Sequence, residues 1–200
     1  MKFVSLNIEN KVGNIIENIV NHTSKLDQFV YTTAEGEYGV LSGFQVGYCV
    51  GEDNLDPDTV TPQVVANYLK PFKIEELEQQ CNLVIASGFE YTNGDKFLYG
   101  PDQQNDFSQK QILLLLNPAL TTVQVQTKNN GIKKYTKEEF ISLVTYANSF
   151  KDQLVKRLDD LTKEIDETEY TDVQELRNLT FVEDVSILTL DAEQASFFNS

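Results

Sequence analysis

A single segment constrains this chain more than any other. From about Thr136 to Asp166 the residues repeat with helical period, and the stretch opens on a capping box, Thr136-Lys137-Glu138-Glu139. Apolar residues fall at Phe140, Leu143, Ala147, Phe150, Leu154, Leu158, Leu161 and Ile165. The steps run 3, 4, 3, 4 and then 4, 3, 4, so the first five positions fit a and d of a heptad. The extra step of 4 after Leu154 is one stutter, which locally unwinds a supercoil. Such a helix reaches ~45 Å at ~1.5 Å per residue. A seam of that length needs a cover. The next helical stretch, Asp172 to Leu179, is too short to supply it all by folding back. Two covers remain: that short helix folding back as an αα-hairpin over part of the seam, or, with more weight, copies of the chain packing along it as a dimer or trimer, with Lys151, Asp152, Lys156, Arg157, Asp159, Asp160, Lys163 and Glu164 facing outward.

The rest reads as α+β. Val4, Leu6 and Ile8 alternate with polar residues, and Val12 to Ile16 reads as a return strand, giving a hairpin. Ile15 to Leu26 fits a helix as well as a strand. Gln28 to Thr32 and Phe44 to Val50 read as strands, with Gly36, Gly39 and Gly43 marking a loop between them. Residues 51–62 form a polar, proline-bearing connector. Thr61-Pro62 starts a short helix, and Lys70-Pro71 should end it. A second helix is expected from Lys73 to Ser87, stopped by Gly88. Asn93-Gly94 marks a hairpin between Phe89 to Thr92 and Lys96 to Tyr99. A helix then runs from Gln103 to Leu116. Thr122 to Thr127 and Ile132 to Tyr135 form a second hairpin around Lys128-Asn129-Asn130-Gly131. A partly alternating tail follows from Phe181 to Leu190, and Ala195 to Ser200 reads as frayed. These elements group into a small β-rich docking part (1–55), a central helix-hairpin-helix domain with the second hairpin (62–135), and the long helix with its short follower (136–200).

Composition removes several function classes. The 200 residues carry 31 acidic and 16 basic side chains, for a formal net charge of −15, and the last fifty hold 13 acidic against 5 basic. Nucleic acid binding needs clustered cations, so neither nucleic acid nor an anionic membrane is expected as partner. The longest aliphatic run, Ile112 to Leu116, is far too short to cross a bilayer. MKFVSLNIENK holds no long apolar region, so a secretory signal is not expected, and two sequons, at Asn21 and Asn178, read as chance. Cys49 and Cys81 read as free buried thiols.

No chemistry is announced. The lone histidine, His22, sits in a polar Asn-His-Thr context and reads as a surface residue. Asn54, Asp56 and Asp58 mimic the start of a calcium loop, but Thr59 stands where glycine is needed and Val65 where a bidentate Glu belongs. No metal and no cofactor is expected. Tyr91, Phe97, Tyr99 and Phe107 form either a ligand-facing aromatic patch or, with more weight, a core cluster.

Two blocks carry a resemblance. One is Gly88-Phe89, Asn93-Gly94, Phe97, Tyr99, Asp102-Gln103 and Asn105. The other is Lys133-Lys134-Tyr135-Thr136-Lys137-Glu138-Glu139-Phe140 with the helix that continues to Ile165. In that order, over residues 73–168, they resemble a domain family, the DUF4376 type, found in tail-fibre and baseplate proteins of tailed bacteriophages. The Asn-Lys-Val opening and Gly47-Tyr48 are similar to small phage proteins encoded beside tail fibres, although the aromatic Gly-Trp of those proteins is absent. The resemblance implies a non-enzymatic structural component of a virion, made in the bacterial cytoplasm and acting on itself and other phage tail proteins. Its alternatives are a tail-fibre assembly chaperone and a host-surface binding module. The family supplies no active-site residue to transfer. Physically, Asp102 is placed to cap a helix, and Gln103 and Asn105 to bond back to the hairpin.

Overall fold

The computed structural model describes residues 1–44 and 46–181. The chain is α+β. In order it forms β1 (Lys2–Leu6), β2 (Val12–Ile16), β3 (Ile19–Lys25), β4 (Gln28–Thr33), β5 (Tyr38–Ser42), β6 (Gly47–Gly51), a 3-10 turn (Pro57–Thr59) and α1 (Pro62–Ser87). Then follow β7 (Phe89–Glu90), β8 (Lys96–Phe97), α2 (Pro101–Leu116), β9 (Thr122–Thr127), β10 (Gly131–Thr136), α3 (Lys137–Glu167) and α4 (Val173–Asn178). Two compact units result. One holds residues 1–77 with 161–180, and the other holds 78–160 with Phe181 as its last described residue. The division falls inside α1 and α3.

The first unit contains two antiparallel three-stranded sheets, ordered β2-β1-β6 and β3-β4-β5. The expected first hairpin is β1 and β2. Two segments differ from expectation. Ile19 to Lys25 is a strand, because β4 supplies a ladder for it; Asn18, just before it, adopts a left-handed φ of 56°, as Asn10 does at 58°. Residues 38–42, expected as loop, form the third strand of that sheet. Phe3, Phe29 and Tyr48 are fully buried, with Phe3 stacked 4.5 Å from Phe29 and 5.2 Å from Tyr48. The Tyr48 hydroxyl donates to the Lys25 carbonyl at 2.5 Å and accepts the Lys25 N–H at 3.1 Å. A buried phenol must find such partners. Burial pushes its pKa up to about 12.

Helix α1 is the clearest correction. It runs unbroken through Pro71, where two helices were expected. Proline removes one N–H and crowds the carbonyl four residues back, which costs about 3 kcal/mol in a helix interior. Val65, Ala66, Leu69, Leu77, Cys81 and Ile85 are all buried along the helix. Each large aliphatic among them returns about 1.5–3 kcal/mol on burial, which outweighs one proline. Lys73 follows directly and is itself buried. Its ammonium donates to Glu76 at 3.0 Å and to the Arg177 carbonyl at 2.8 Å, so it closes the last turn of α4. The Arg177 guanidinium in turn pairs with Asp27.

In the second unit, Gly88 ends α1 as expected. Its φ is +86°, and a Cβ there would lie 1.7 Å from the Phe97 carbonyl oxygen. The hairpin that follows is thereby laid directly over the helix end. The β9–β10 hairpin pairs in register from Gly131–Thr127 to Thr136–Thr122 and leads straight into α3. The capping box forms: the Glu139 carboxylate accepts the Thr136 N–H at 2.8 Å, and Thr136 Oγ1 accepts the Glu139 N–H at 3.3 Å. The tail expected as a strand from Phe181 lies outside the described residues except for Phe181. That residue is buried, with its N–H on Gln80 and its carbonyl on Arg157.

Candidate assembly surface

The eight seam positions on α3 do not present a free face. Phe140, Leu143, Ala147, Phe150, Leu154 and Ile165 are buried within the single chain, and Leu158 and Leu161 are half-buried. In the second unit the cover comes from aromatic rings and from α1. Phe107 of α2 meets Phe140 edge-on at 5.7 Å. Phe89 of β7 lies 5.4 Å from Phe150, and the Cys81 thiol of α1 reaches the Leu154 carbonyl at 3.8 Å. The sequence pattern points to a fold-back helix or a second copy as the cover of this seam. The cover is supplied by elements far away in sequence that are not part of a helical hairpin.

The aromatic patch has the same fate. Phe97, Tyr99 and Phe107 are buried and Tyr91 is half-buried. The rings of Phe97, Tyr99 and Phe107 form one packed cluster with Phe89, Phe140 and Phe150 at centroid distances of 5.4–6.1 Å, and Tyr91 joins it only through Tyr146, 5.2 Å away. Phe97, Tyr99 and Phe107 are core and offer no ring face to a ligand.

An unexpected group ties the two hairpins of this unit. Asp95, beside the Asn93-Gly94 turn, has no exposed surface. Its carboxylate accepts from Lys133 and Tyr135 on β10, from Asn130 at 2.7 Å and from Asn93 at 2.9 Å. Asn129 adds bonds to the Gly94 carbonyl and the Lys96 N–H, each at 2.9 Å. Burial works to raise the Asp95 pKa. The bonds from Lys133, Tyr135 and Asn130, with the Lys133 charge, overcome it and hold the group at about 2. Burial and the bond to Asp95 push Tyr135 up to about 12. Every lone pair of the carboxylate faces a donor of the protein itself, so the group is a clasp with no vacancy for a substrate.

Around the DQxN block, Gly100 and Pro101 start α2 without a side-chain cap, and Asp102 lies in the first turn. The bond back to the hairpin is made by Gln104, whose amide donates to the Tyr99 carbonyl at 2.8 Å while its oxygen accepts from Lys151 at 2.8 Å. The expected bonds from Gln103 and Asn105 are thus displaced by one residue.

This anchoring sets the rotation of α2. Gln103, Gln104, Phe107, Lys110, Gln111 and Leu114 turn inward at helical spacing, with Phe107 and Leu114 buried. The consequence falls on the aliphatic run. Of Ile112, Leu113, Leu114, Leu115 and Leu116, only Leu114 is buried. The other four are exposed by 55, 52, 67 and 79%, respectively. Four adjacent aliphatics exposed on one helix end are not the scatter of single apolar residues normal for a surface. They offer on the order of 400 Å² of apolar area, about half of what each partner buries in a standard complex.

Other expectations resolve locally. Asp56 caps the Pro57–Thr59 turn through the Asp58 N–H at 3.0 Å. Among the described residues no group of three or more His, Cys, Asp or Glu is placed to hold a metal ion, and no helix is long and apolar enough to cross a membrane. Cys49 and Cys81 are free and buried, as expected, and burial raises the Cys49 thiol to about 11. No family model, curated protein or solved structure matches this chain.

Proposed function

We propose that this chain is a non-enzymatic structural component of a bacteriophage virion, in the tail, baseplate or tail-fibre region, acting through protein-protein assembly. The family resemblance over residues 73–168 supports the setting. One structural observation supports the mode of action: the exposed aliphatic end of α2, Ile112, Leu113, Leu115 and Leu116. Its occupant is a second copy of this chain. Two such ends are chemically self-complementary, and in an isologous contact each copy presents the same patch, about half of the area that one partner buries in a standard complex.

Light scattering of the wild type tests the contact, with a dimer as the expected result of an isologous contact. The double change Leu113→Asp/Leu116→Asp converts it to a folded monomer, because both side chains are already outside the core. A monomeric wild type, or an oligomer that survives the double change, refutes self-association through α2. Mass spectrometry of purified particles tests the setting separately. Its presence in the particle supports a virion component, and its absence moves the reading to an assembly chaperone.

A further inference from the structure

We propose that the first unit carries a binding site for a neutral saccharide, on the face of the β3-β4-β5 sheet that bears His22, Ser24 and Tyr31. This goes beyond the assembly role and does not depend on it.

Pairing register defines the face. His22, Tyr31 and Gly39 form one cross-strand row, and Ser24, Phe29 and Leu41 the next. Gly39 is what shapes it. A Cβ there would lie 2.4 Å from Tyr31 Cζ and 2.5 Å from its hydroxyl oxygen. The Tyr31 ring therefore lies down across β5 and does not stand up from the sheet. Phe29 stands beside Tyr31 on the same face, two residues back in β4, and stacks on it at 5.7 Å and 18°, while Phe3 of β1 packs on Phe29 at 4.5 Å and 27°. Phe29 and Phe3 are fully buried, so the partly exposed Tyr31 is held at the rim of these packed rings.

Hydroxyl chemistry borders this ring. His22 Nδ1 is 3.1 Å from Ser24 Oγ, which is 3.0 Å from the Tyr68 hydroxyl on α1. The chain of bonds fixes the imidazole, whose ring lies 5.5 Å from Phe29. His22 Nε2 and the Tyr31 hydroxyl have no protein partner among the described residues and belong to half-exposed side chains. Tyr68 and Phe72, with rings 5.6 Å apart, are half-exposed as well.

The chemistry selects the ligand class. The two rows contain no charged side chain, so neither a cationic nor an anionic ligand finds its counterion there. A net charge of −15 further disfavours anions. What the face offers is an immobile ring surface beside groups that both donate and accept. A pyranose needs that combination, presenting an apolar C–H face and a rim of hydroxyls. The polar groups are pre-positioned by Ser24 and Tyr68, which limits the ordering cost of binding.

The test uses the full chain and its single histidine, whose ring protons give an isolated NMR reporter inside the face. Glucose, galactose, N-acetylglucosamine, N-acetylgalactosamine and their short oligomers are titrated to about 20 mM, the range of weak sugar binding. The expected result is a saturable shift of the His22 signals by at least one of them. Tyr31→Ala should weaken that binding about tenfold. Ser24→Ala, which removes no core volume, should weaken it as well and guards against a folding failure of the first variant. Leu116→Asp, on α2, should leave it unchanged. The proposal is overturned if no sugar of the panel shifts His22 saturably, or if binding persists undiminished in both Tyr31→Ala and Ser24→Ala. It is also overturned if the signals move with protein concentration and not with sugar, since the face would then be a contact between copies.

Discussion

Replacing Asp95 by Asn tests the clasp that joins the two hairpins of the second unit. The change keeps shape and removes charge. In the native protein the carboxylate faces four donors, from Lys133, Tyr135, Asn130 and Asn93. An amide in its place turns two of its own hydrogens toward those donors and leaves the Lys133 ammonium without its anion. Loss of one partner of a buried charge-assisted network costs about 2–4 kcal/mol. The Lys133 side chain is 41% exposed, so the lower half of that range is expected. Urea unfolding at pH 7, followed by circular dichroism, reads the loss.

Acid gives an independent check with a defined sign. The folded pKa of Asp95, about 2, lies below its ordinary 3.8. The unfolded chain therefore binds the proton first as pH falls. The stability contributed by this group is fully present above about pH 4 and disappears as pH drops from about 4 to about 2. The difference between the two pKa values corresponds to roughly 2 kcal/mol at most, and solvent near Lys133 reduces it to ~1–2 kcal/mol. The wild type should lose that much more than Asp95→Asn over this window, because all other carboxylates titrate alike in both. Stability of the variant within about 0.5 kcal/mol of wild type at pH 7, or parallel acid curves for the two proteins, refutes the reasoning.

Two further substitutions probe packing in the same unit. Gly88→Ala places a methyl 1.7 Å from the Phe97 carbonyl oxygen at a φ of +86°, so a loss of about 3 kcal/mol or more is expected in thermal unfolding; a neutral result contradicts the strand laid over the end of α1. Leu114→Ala and Leu115→Ala delete the same atoms from adjacent residues of α2. The first should cost about 2–5 kcal/mol and the second less than about 0.5, because Leu114 is 1% exposed and Leu115 67%. Equal losses refute the assigned rotation of α2.

What could be read in the sequence was local. The capping box, both hairpins, the Gly88 stop and the bounds of α3 and α4 each follow from chemistry within a few residues. What could not be read came from distance. Pro71 was expected to end a helix, because the burial that overrides it lies on faces whose partners the sequence does not name. Ile19 to Lys25 fits helix or strand until β4 offers a ladder. The α3 seam announced a buried face correctly, but pattern alone led to another helix as its cover, where the cover includes Phe89, Phe107 and Cys81. Asp95 gave no signal at all, since an aspartate beside Asn-Gly reads as an ordinary exposed turn. The aliphatic run in α2 was visible and uninterpretable for the opposite reason: five apolar residues in succession carry no period. Their phase is set upstream by Gln104 and Phe107.

Burial of the seam changes what an interface experiment on this protein means. Leu154→Asp is the substitution that the sequence recommends for breaking an oligomer. Leu154 is 3% exposed and its carbonyl accepts the Cys81 thiol. An unpaired carboxylate at that position costs several kcal/mol, comparable with the stability of a whole domain. The variant should therefore lose its cooperative unfolding transition along with any oligomer, and a monomer seen that way would say nothing about an interface. Leu116, 79% exposed, carries no such cost. Its change to Asp removes apolar area from the surface and leaves the core untouched, so loss of the oligomer with an unchanged melting temperature assigns the contact to α2. If Leu154→Asp instead yields a monomer that melts as the wild type does, α3 is the interface, and its burial within one chain is the statement to abandon.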